Sequence, residues 1–189
     1  MICVSINYRV SIFGFGCLCD GTGINNGIYD QRLALQWVQR HIRGFGGDPS
    51  RVTVCGESAG STSIDFHLYA KDSENKPELQ LFRRAVLMSG TMMANQPRPK
   101  VAVTALTKRY ADNLSGDGTW EEKLRTASVK ELLRILATLG EAKWPYVGEG
   151  WYDEPLKLYQ VVPSWCEAIL IGDCEYEVCR LLWSILHNF

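Results

Sequence analysis

Short apolar runs alternate with helix-like repeats along the first half of the chain. Runs rich in β-branched and aliphatic residues, bounded by glycine, serine or asparagine, predict buried strands over 2–8, 51–55 and 85–88. Between them, apolar residues recur every three or four positions over 30–42 and 59–69, which predicts two helices. Strands that alternate with helices favour an α/β fold with a mostly parallel sheet and right-handed crossovers.

The second half of the chain is richer in helical patterns. Residues 101–114 form an amphipathic repeat, and Ser-Val-Lys-Glu at 128–131 predicts a capping box that opens a helix through Leu139. A short apolar strand is predicted over 168–172, and the pattern from 179 to 189 is helical again. The aromatic stretch 140–155 is predicted to be irregular, and its rings fit core packing better than an acyl pocket.

Size and charge place the chain among ordinary globular proteins. Its 189 residues are expected to form a single domain, and 20 lysines and arginines against 21 acidic residues leave a net charge of −1. This balance, without a basic stripe, argues against a nucleic-acid partner. No apolar run approaches the ~18 residues of a transmembrane helix, and no leader peptide is visible. We therefore predict no transmembrane segment, whereas localisation and oligomeric state stay open.

The cysteines do not form a recognisable metal-binding or disulfide pattern. Seven are present, an odd number, and none forms a Cys-x-x-Cys pair. We accordingly predict neither a metal site nor a cofactor. Cys55, at the end of a predicted strand, is expected to be a small buried apolar residue.

One motif joins a strand to a helix. The run Val-Thr-Val-Cys at 52–55 is followed by Gly56-Glu57-Ser58-Ala59-Gly60 and then by a helical repeat. A Gly-x-Ser-x-Gly turn between a strand and a helix is the nucleophile elbow, which exposes one serine hydroxyl above a sheet. We expect glycine at positions 56 and 60 because strand and helix approach closely there.

Several stretches together resemble the type-B carboxylesterase/lipase family, the cholinesterase-like branch of the α/β-hydrolases. The resemblance is dense over residues 5–90 and loose over 91–189, where 167–183 is most similar to fungal members. The matching stretches are SINYRV (5–10), FGF (13–15), NGIYDQRLALQWV (26–38), FGGDP (45–49), VT (52–53), GESAG (56–60), LFRRAV (81–86) and MSG (88–90).

This resemblance implies a partial α/β-hydrolase fold over 1–189, a mostly parallel sheet flanked by helices and truncated at both ends. It implies hydrolysis of small-molecule carboxylic esters through an acyl-enzyme, without metal or cofactor. Ser58 takes the role of nucleophile, and the backbone N–H of Ala59 takes the role of oxyanion donor. Glu57 is implied to line the substrate gorge, and Ser89 resembles a serine near the catalytic acid.

The remaining members of a Ser-His-acid triad are harder to place. The resemblance implies Glu177 as the acid, with Glu175 and Asp173 as alternatives. The family usually has glycine after this residue, and this chain has Val178.

The chain has three histidines, His41, His67 and His187. The first two fall on helices that do not face the elbow, and His187 follows the acid by only ten residues. We expect none of them to be the base. The glycine-rich oxyanion loop of the family is also missing from this chain. The prediction is therefore an esterase chain with little turnover of its own. The alternatives are an inactive remnant and a non-catalytic binding or adhesion protein of the same fold.

Overall fold

The computed structural model describes residues 1–71, 73, 75–93, 95–139, 148 and 162–174. The chain divides into two compact units. The first comprises Met1–Ile2, Leu35–Asn95 and Glu154–Phe189, and the second comprises Cys3–Ala34 and Gln96–Asp153. The expectation of one domain over 1–189 stays a prediction.

A parallel sheet forms the centre of the first unit. Its strands lie in the order β1 (Thr53–Glu57), β2 (Arg84–Met88) and β3 (Ala168–Gly172). All three predicted positions are confirmed, although β1 begins and ends two residues later than expected. Glu57, Met88 and Gly172 lie side by side as the last residues of their strands. The carboxyl ends of the strands therefore meet at one edge of the sheet.

Helix α3 (Ala59–Leu68) follows β1 and packs against β1 and β2. Ile64 and Leu68 of α3 contribute to the same hydrophobic core as Leu87 of β2. Residues 61–68 are all buried, so the helix is enclosed on every side. A helix in this environment must satisfy its polar side chains internally, because water cannot reach them.

The opposite face of the sheet lies open. Thr53, Cys55 and Glu57 are exposed, and on β3 Leu170 is 64% exposed. The prediction that Cys55 is buried is therefore wrong. A small apolar residue at the end of a strand is buried only where its face of the sheet is covered, and the described residues cover the other face of β1.

Helix α2 (Asn26–His41) contains the boundary between the two units, which falls after Ala34. It confirms the helix predicted over 30–42 and starts one turn earlier. A short 3₁₀ turn, Ile42–Phe45, continues from its end. Gly46 then terminates the turn at φ 80°, a left-handed conformation that glycine adopts without a steric penalty.

Helices dominate the second unit: α1 (Ser11–Phe15), α4 (Lys100–Ala111), α5 (Trp120–Thr126) and α6 (Val129–Leu139). Their core joins α1 to α4 and α6. Its buried members are Ile12, Tyr110, Ala111, Leu114, Ile135 and Leu136. The helices predicted over 101–114 and 128–139 are confirmed, while α1 and α5 were not predicted.

A complete capping box occurs at α5 and not at the predicted position. The hydroxyl of Thr119 accepts from the Glu122 backbone N–H, and the Glu122 carboxylate accepts from the Thr119 N–H. At α6, Ser128 Oγ accepts from the Glu131 N–H as predicted. The Glu131 carboxylate instead accepts from the backbone N–H of Ser115 at 3.0 Å, so only half of the predicted box forms.

The strand predicted over 2–8 is wrong. Residues 1–10 form no helix or strand with any part of the described chain, and Ile2, Val4 and Ile6 are exposed. An apolar run becomes a strand only through hydrogen bonds to a neighbouring strand, and the described residues supply none here. Near the end of this segment, the backbone N–H and the guanidinium of Arg9 donate three hydrogen bonds to the Asp30 carboxylate.

Candidate active site

Ser58 stands between the last residue of β1 and the first residue of α3. Its φ of 52° and ψ of −114° lie outside the regions that L-residues ordinarily occupy, and its side chain is exposed. Such a conformation costs of order 1–3 kcal/mol and persists only where the surrounding structure fixes it. A strained, exposed serine at a strand–helix junction has the geometry of a nucleophile elbow.

The two glycines of the motif differ in their surroundings. A Cβ added to Gly56 would lie 2.5 Å from the Gly60 carbonyl carbon and 2.8 Å from the Ser61 nitrogen. Glycine is therefore needed at 56 so that β1 and α3 can approach. A Cβ at Gly60 would meet no atom within 4 Å. The close approach of strand and helix is confirmed, but it requires glycine at 56 only; the expectation that it also requires glycine at 60 is wrong.

The turn that follows β2 supports the elbow from the side. The Ser58 N–H donates to the Met88 carbonyl at 2.8 Å. A Cβ at Gly90 would lie 2.4 Å from the Ser58 carbonyl oxygen, so the backbone of Gly90 packs directly on the backbone of the elbow. The Ser61 hydroxyl, one turn into α3, donates to the Gly90 carbonyl. The Gly-x-Ser-x-Gly motif does not predict that Ser61 and Gly90 support Ser58.

The buried polar side chains of α3 extend this support. Thr62 Oγ1 donates to the Ser58 carbonyl at 3.2 Å and accepts from Asn95 Nδ2 at 3.3 Å. The Asp65 carboxylate accepts from the Met92 N–H at 3.0 Å. The sequence contains a signal for this network, because one predicted helix carries four hydroxyl or carboxyl side chains: Ser61, Thr62, Ser63 and Asp65.

Three polar residues directly follow the three parallel strands. Ser58 follows β1, Ser89 follows β2 and Asp173 follows β3. Ser89 has φ 55°, close to the φ of Ser58, and its N–H donates to the Gly172 carbonyl at 2.8 Å. Because adjacent strands lie about 4.8 Å apart, the carboxyl edge of the sheet places these residues in one row.

The other residues singled out in the sequence have the following positions. Ala59 is the first residue of α3, where N–H groups point outward from the helix end. Glu57 is the exposed last residue of β1. The following residues lie outside the described part of the chain: Glu175, Glu177, His187 and the aromatic residues Trp144, Tyr146, Trp151 and Tyr152.

The two described histidines are not arranged to serve Ser58. His41 is exposed at the end of α2, with its ring centroid 5.2 Å from that of Trp37. His67 is buried on α3, eight residues after Ala59 and thus about 12 Å further along the helix axis. Within the described part of the chain, the Ser58 hydroxyl has no hydrogen-bond partner.

None of the helices among the described residues is long and apolar enough to cross a membrane. The same residues contain no cluster of three or more histidine, cysteine, aspartate or glutamate side chains suited to a metal ion.

Comparison with known sequences identifies relatives over most of the chain. Residues 1–180 match the sequence model of the carboxylesterase family. Lipase 3 of Yarrowia lipolytica is 38% identical over 174 residues, which is 92% of this chain and 33% of that protein. Lipase 2 of Diutina rugosa is 50% identical over 51% of this chain, covering 18% of its own length. Acetylcholinesterase of Danio rerio is 52% identical over 48% of this chain and 14% of its own length.

Solved structures give the same relationship. The carboxylesterase EST55 of Geobacillus stearothermophilus superimposes with a TM-score of 0.74 at 32% identity, covering 97% of this chain and 39% of the enzyme. PNB esterase superimposes with a TM-score of 0.70 at 27% identity, covering 90% and 38%. The chain thus has the α/β-hydrolase fold and spans a third or less of the length of the named lipases and acetylcholinesterase. On this evidence the chain belongs to the carboxylesterase family.

Proposed function

We propose that this chain supplies the nucleophile for hydrolysis of carboxylic esters and that Ser58 is that nucleophile. The observation that carries the proposal is the backbone of Ser58, held at φ 52° and ψ −114° with its side chain exposed. Proteins named lipase, carboxylesterase and acetylcholinesterase are its relatives. Small-molecule carboxylic esters are therefore the proposed substrate class.

The proposed reaction follows from the position of Ser58. Its Oγ attacks the ester carbonyl while a base accepts the hydroxyl proton, and the alcohol leaves to give an acyl-serine that water then hydrolyses. The oxyanion of the tetrahedral intermediate would accept a hydrogen bond from the Ala59 N–H. The N-terminal end of α3 adds a favourable electrostatic field at that place. Glu57, one residue before the nucleophile, is proposed to contact the substrate.

The proposed acid is Glu177. In the sequence it comes four residues after Asp173, the residue that directly follows β3. Asp173, which directly follows β3 as Ser58 follows β1, and Glu175 remain the alternatives. No described histidine is proposed as the base, because the His41 ring lies against Trp37 at the end of α2 and His67 lies two turns along α3. Because none of the described histidines is proposed as the base, we propose that this chain turns over little ester unless a base is added.

The test uses p-nitrophenyl acetate with imidazole added as an external base. We expect imidazole to permit acetylation of Ser58, located by peptide mapping and distinguished there from any acetylation of the exposed cysteines and lysines. Ser58→Ala should remove this acetyl group. Ser115→Ala should retain it, because Ser115 is an exposed serine of the other unit.

Three results bear on the proposal: the first and the third contradict it, and the second contradicts only the expectation of little turnover. Acetylation of Ser58→Ala to the same extent as the unsubstituted chain would exclude Ser58 as the nucleophile. Rapid hydrolysis without imidazole, abolished by Ser58→Ala, would instead show that the chain contains its own base. A chain that is never acetylated would favour the inactive or binding alternative.

A further inference from the structure

The strained conformation of Ser58 needs supports on both sides of its peptide unit. Its N–H donates to the Met88 carbonyl, and its carbonyl accepts from the Thr62 N–H at 3.0 Å and from Thr62 Oγ1. These contacts come from the adjacent strand and from the helix that Ser58 itself opens. The remaining neighbour is the Gly90 backbone, which packs on the Ser58 carbonyl so closely that no side chain fits between them.

The location of Gly90 thus helps to set the location of Ser58, and the Ser61 hydroxyl holds Gly90. Ser61 is 0% exposed, and its Oγ donates to the Gly90 carbonyl at 2.5 Å. Water cannot replace a donor at a fully buried position, so the loss of this hydroxyl leaves the Gly90 carbonyl without that bond. Ser61 is therefore linked to Ser58 in two ways, along the backbone of α3 and through Gly90.

We propose that Ser61 is a positioning residue for Ser58, acting through Gly90. This inference rests on the proposed role of Ser58 as the nucleophile. The physical basis is that a displacement of about 1 Å at a reacting atom can lower a rate by up to 10²-fold. Ser61 touches neither the substrate nor the reacting atoms, and it controls the direction in which the Ser58 hydroxyl points.

Ser63 provides a matched control on the same helix. It is also buried, at 2% exposure, and its hydroxyl donates to the Ala59 carbonyl at 2.8 Å within α3. Ser61→Ala and Ser63→Ala each remove a buried hydroxyl bonded to a backbone carbonyl. Of the two described bonds to a carbonyl, only that of Ser61 reaches the turn that follows β2. Ser61→Thr restores the hydroxyl and serves as the rescue variant.

The first measurement is the single-turnover acetylation of Ser58 by p-nitrophenyl acetate in imidazole, over a range of ester concentrations. We expect Ser61→Ala to lower the rate constant at saturating ester about tenfold without changing the half-saturating concentration. Ser63→Ala should stay within about twofold of the unsubstituted chain, and Ser61→Thr should recover most of the rate. A purely structural role would lower the fraction of acetylated chains and leave the rate constant unchanged.

The second measurement is hydrogen exchange at the Ser58 amide, which requires no chemistry at the hydroxyl. This amide donates to Met88, so we expect faster exchange in Ser61→Ala and unchanged exchange in Ser63→Ala. If Ser58 is never acetylated, the proposed function fails and the exchange rates decide the positioning role alone. Equal behaviour of Ser61→Ala and Ser63→Ala in exchange, or in the acetylation rate where it can be measured, would overturn the inference.

Discussion

Two tight backbone junctions of the chain are held by different forces. One is the elbow at Ser58, and the other is the Arg9 turn, where the N-terminal segment leads into α1 at Ser11. Each depends on two glycines: Gly56 and Gly90 pack on the elbow, while Gly14 and Gly27 pack on the Arg9 carbonyl. The elbow is held by hydroxyl and backbone hydrogen bonds among largely buried groups. The Arg9 turn is held by an ion pair, with the arginine side chain 51% exposed and the aspartate 25% exposed.

The difference shows what each junction can tolerate. Neutral hydrogen bonds in a buried region do not respond to pH and leave little room for displacement, which suits the placement of a reactive group. An ion pair at the surface is weaker, since water and salt screen it. It can therefore anchor a turn but cannot hold a strained backbone conformation to sub-ångström tolerance. The following predictions test this contrast.

The largest effect is expected at Gly56. Its Cβ would overlap the backbone of both Gly60 and Ser61, so Gly56→Ala should destabilise the fold by about 3 kcal/mol. Gly60→Ala, in the same motif, should be neutral or stabilising by about 0.5 kcal/mol because alanine favours helix and the site is open. Urea denaturation of both variants measures the difference. Equal destabilisation by the two substitutions would refute the assigned close approach.

A smaller effect is expected at Gly14, whose Cβ would lie 2.1 Å from the Arg9 carbonyl oxygen. Gly14→Ala should cost about 2 kcal/mol, because the Arg9 turn is anchored at the surface and can shift to relieve part of the overlap. Gly44→Ala is the control, since its added Cβ would meet nothing within 4 Å, and it should stay within about 0.5 kcal/mol. A cost at Gly14 as large as that at Gly56 would remove the contrast between the two junctions.

The smallest effect is expected from the ion pair. Hydrogen bonding to Arg9 holds the pKa of Asp30 below its usual value, against the opposing effect of burial. The stabilisation is therefore present at neutral pH and is lost as pH falls through the lowered pKa of the folded state. Asp30→Asn should cost about 1 kcal/mol or less at pH 7 and nothing once Asp30 is protonated in the folded chain.

Thermal unfolding at pH 7 and at successively lower pH values measures this difference. Asp117→Asn is the control, because Asp117 is an exposed carboxylate without an ion pair among the described residues. A cost of Asp30→Asn that is independent of pH would mean that the Arg9 turn is held by packing and not by charge.

Local signals predicted most elements of the fold. The strands at 53–57, 84–88 and 168–172 are apolar runs between turn residues, and α3 follows the serine of a recognised motif. The helix at 120–126 was missed although its Thr119-x-x-Glu122 signature is as clear as the one at Ser128. This helix is therefore predictable from the local sequence alone.

The other errors concern contacts between distant parts of the chain. Residues 2–8 have the composition of a strand, but the existence of a strand depends on its partner. Cys55 is exposed because no described element covers its face of the sheet. Likewise the support of Ser58 by Gly90 joins residues 32 positions apart, and no motif encodes the distance between them.

The open face of the sheet affects how the stability of the chain varies with temperature. Leu170 is 64% exposed and Met88 is 37% exposed, so part of this apolar face is in contact with water while the chain is folded. Apolar area that is already hydrated adds nothing to the heat-capacity increase on unfolding, which averages about 12–15 cal/mol/K per residue in globular proteins. The heat capacity of unfolding should therefore fall below that average, and the curve of stability against temperature should be correspondingly flatter.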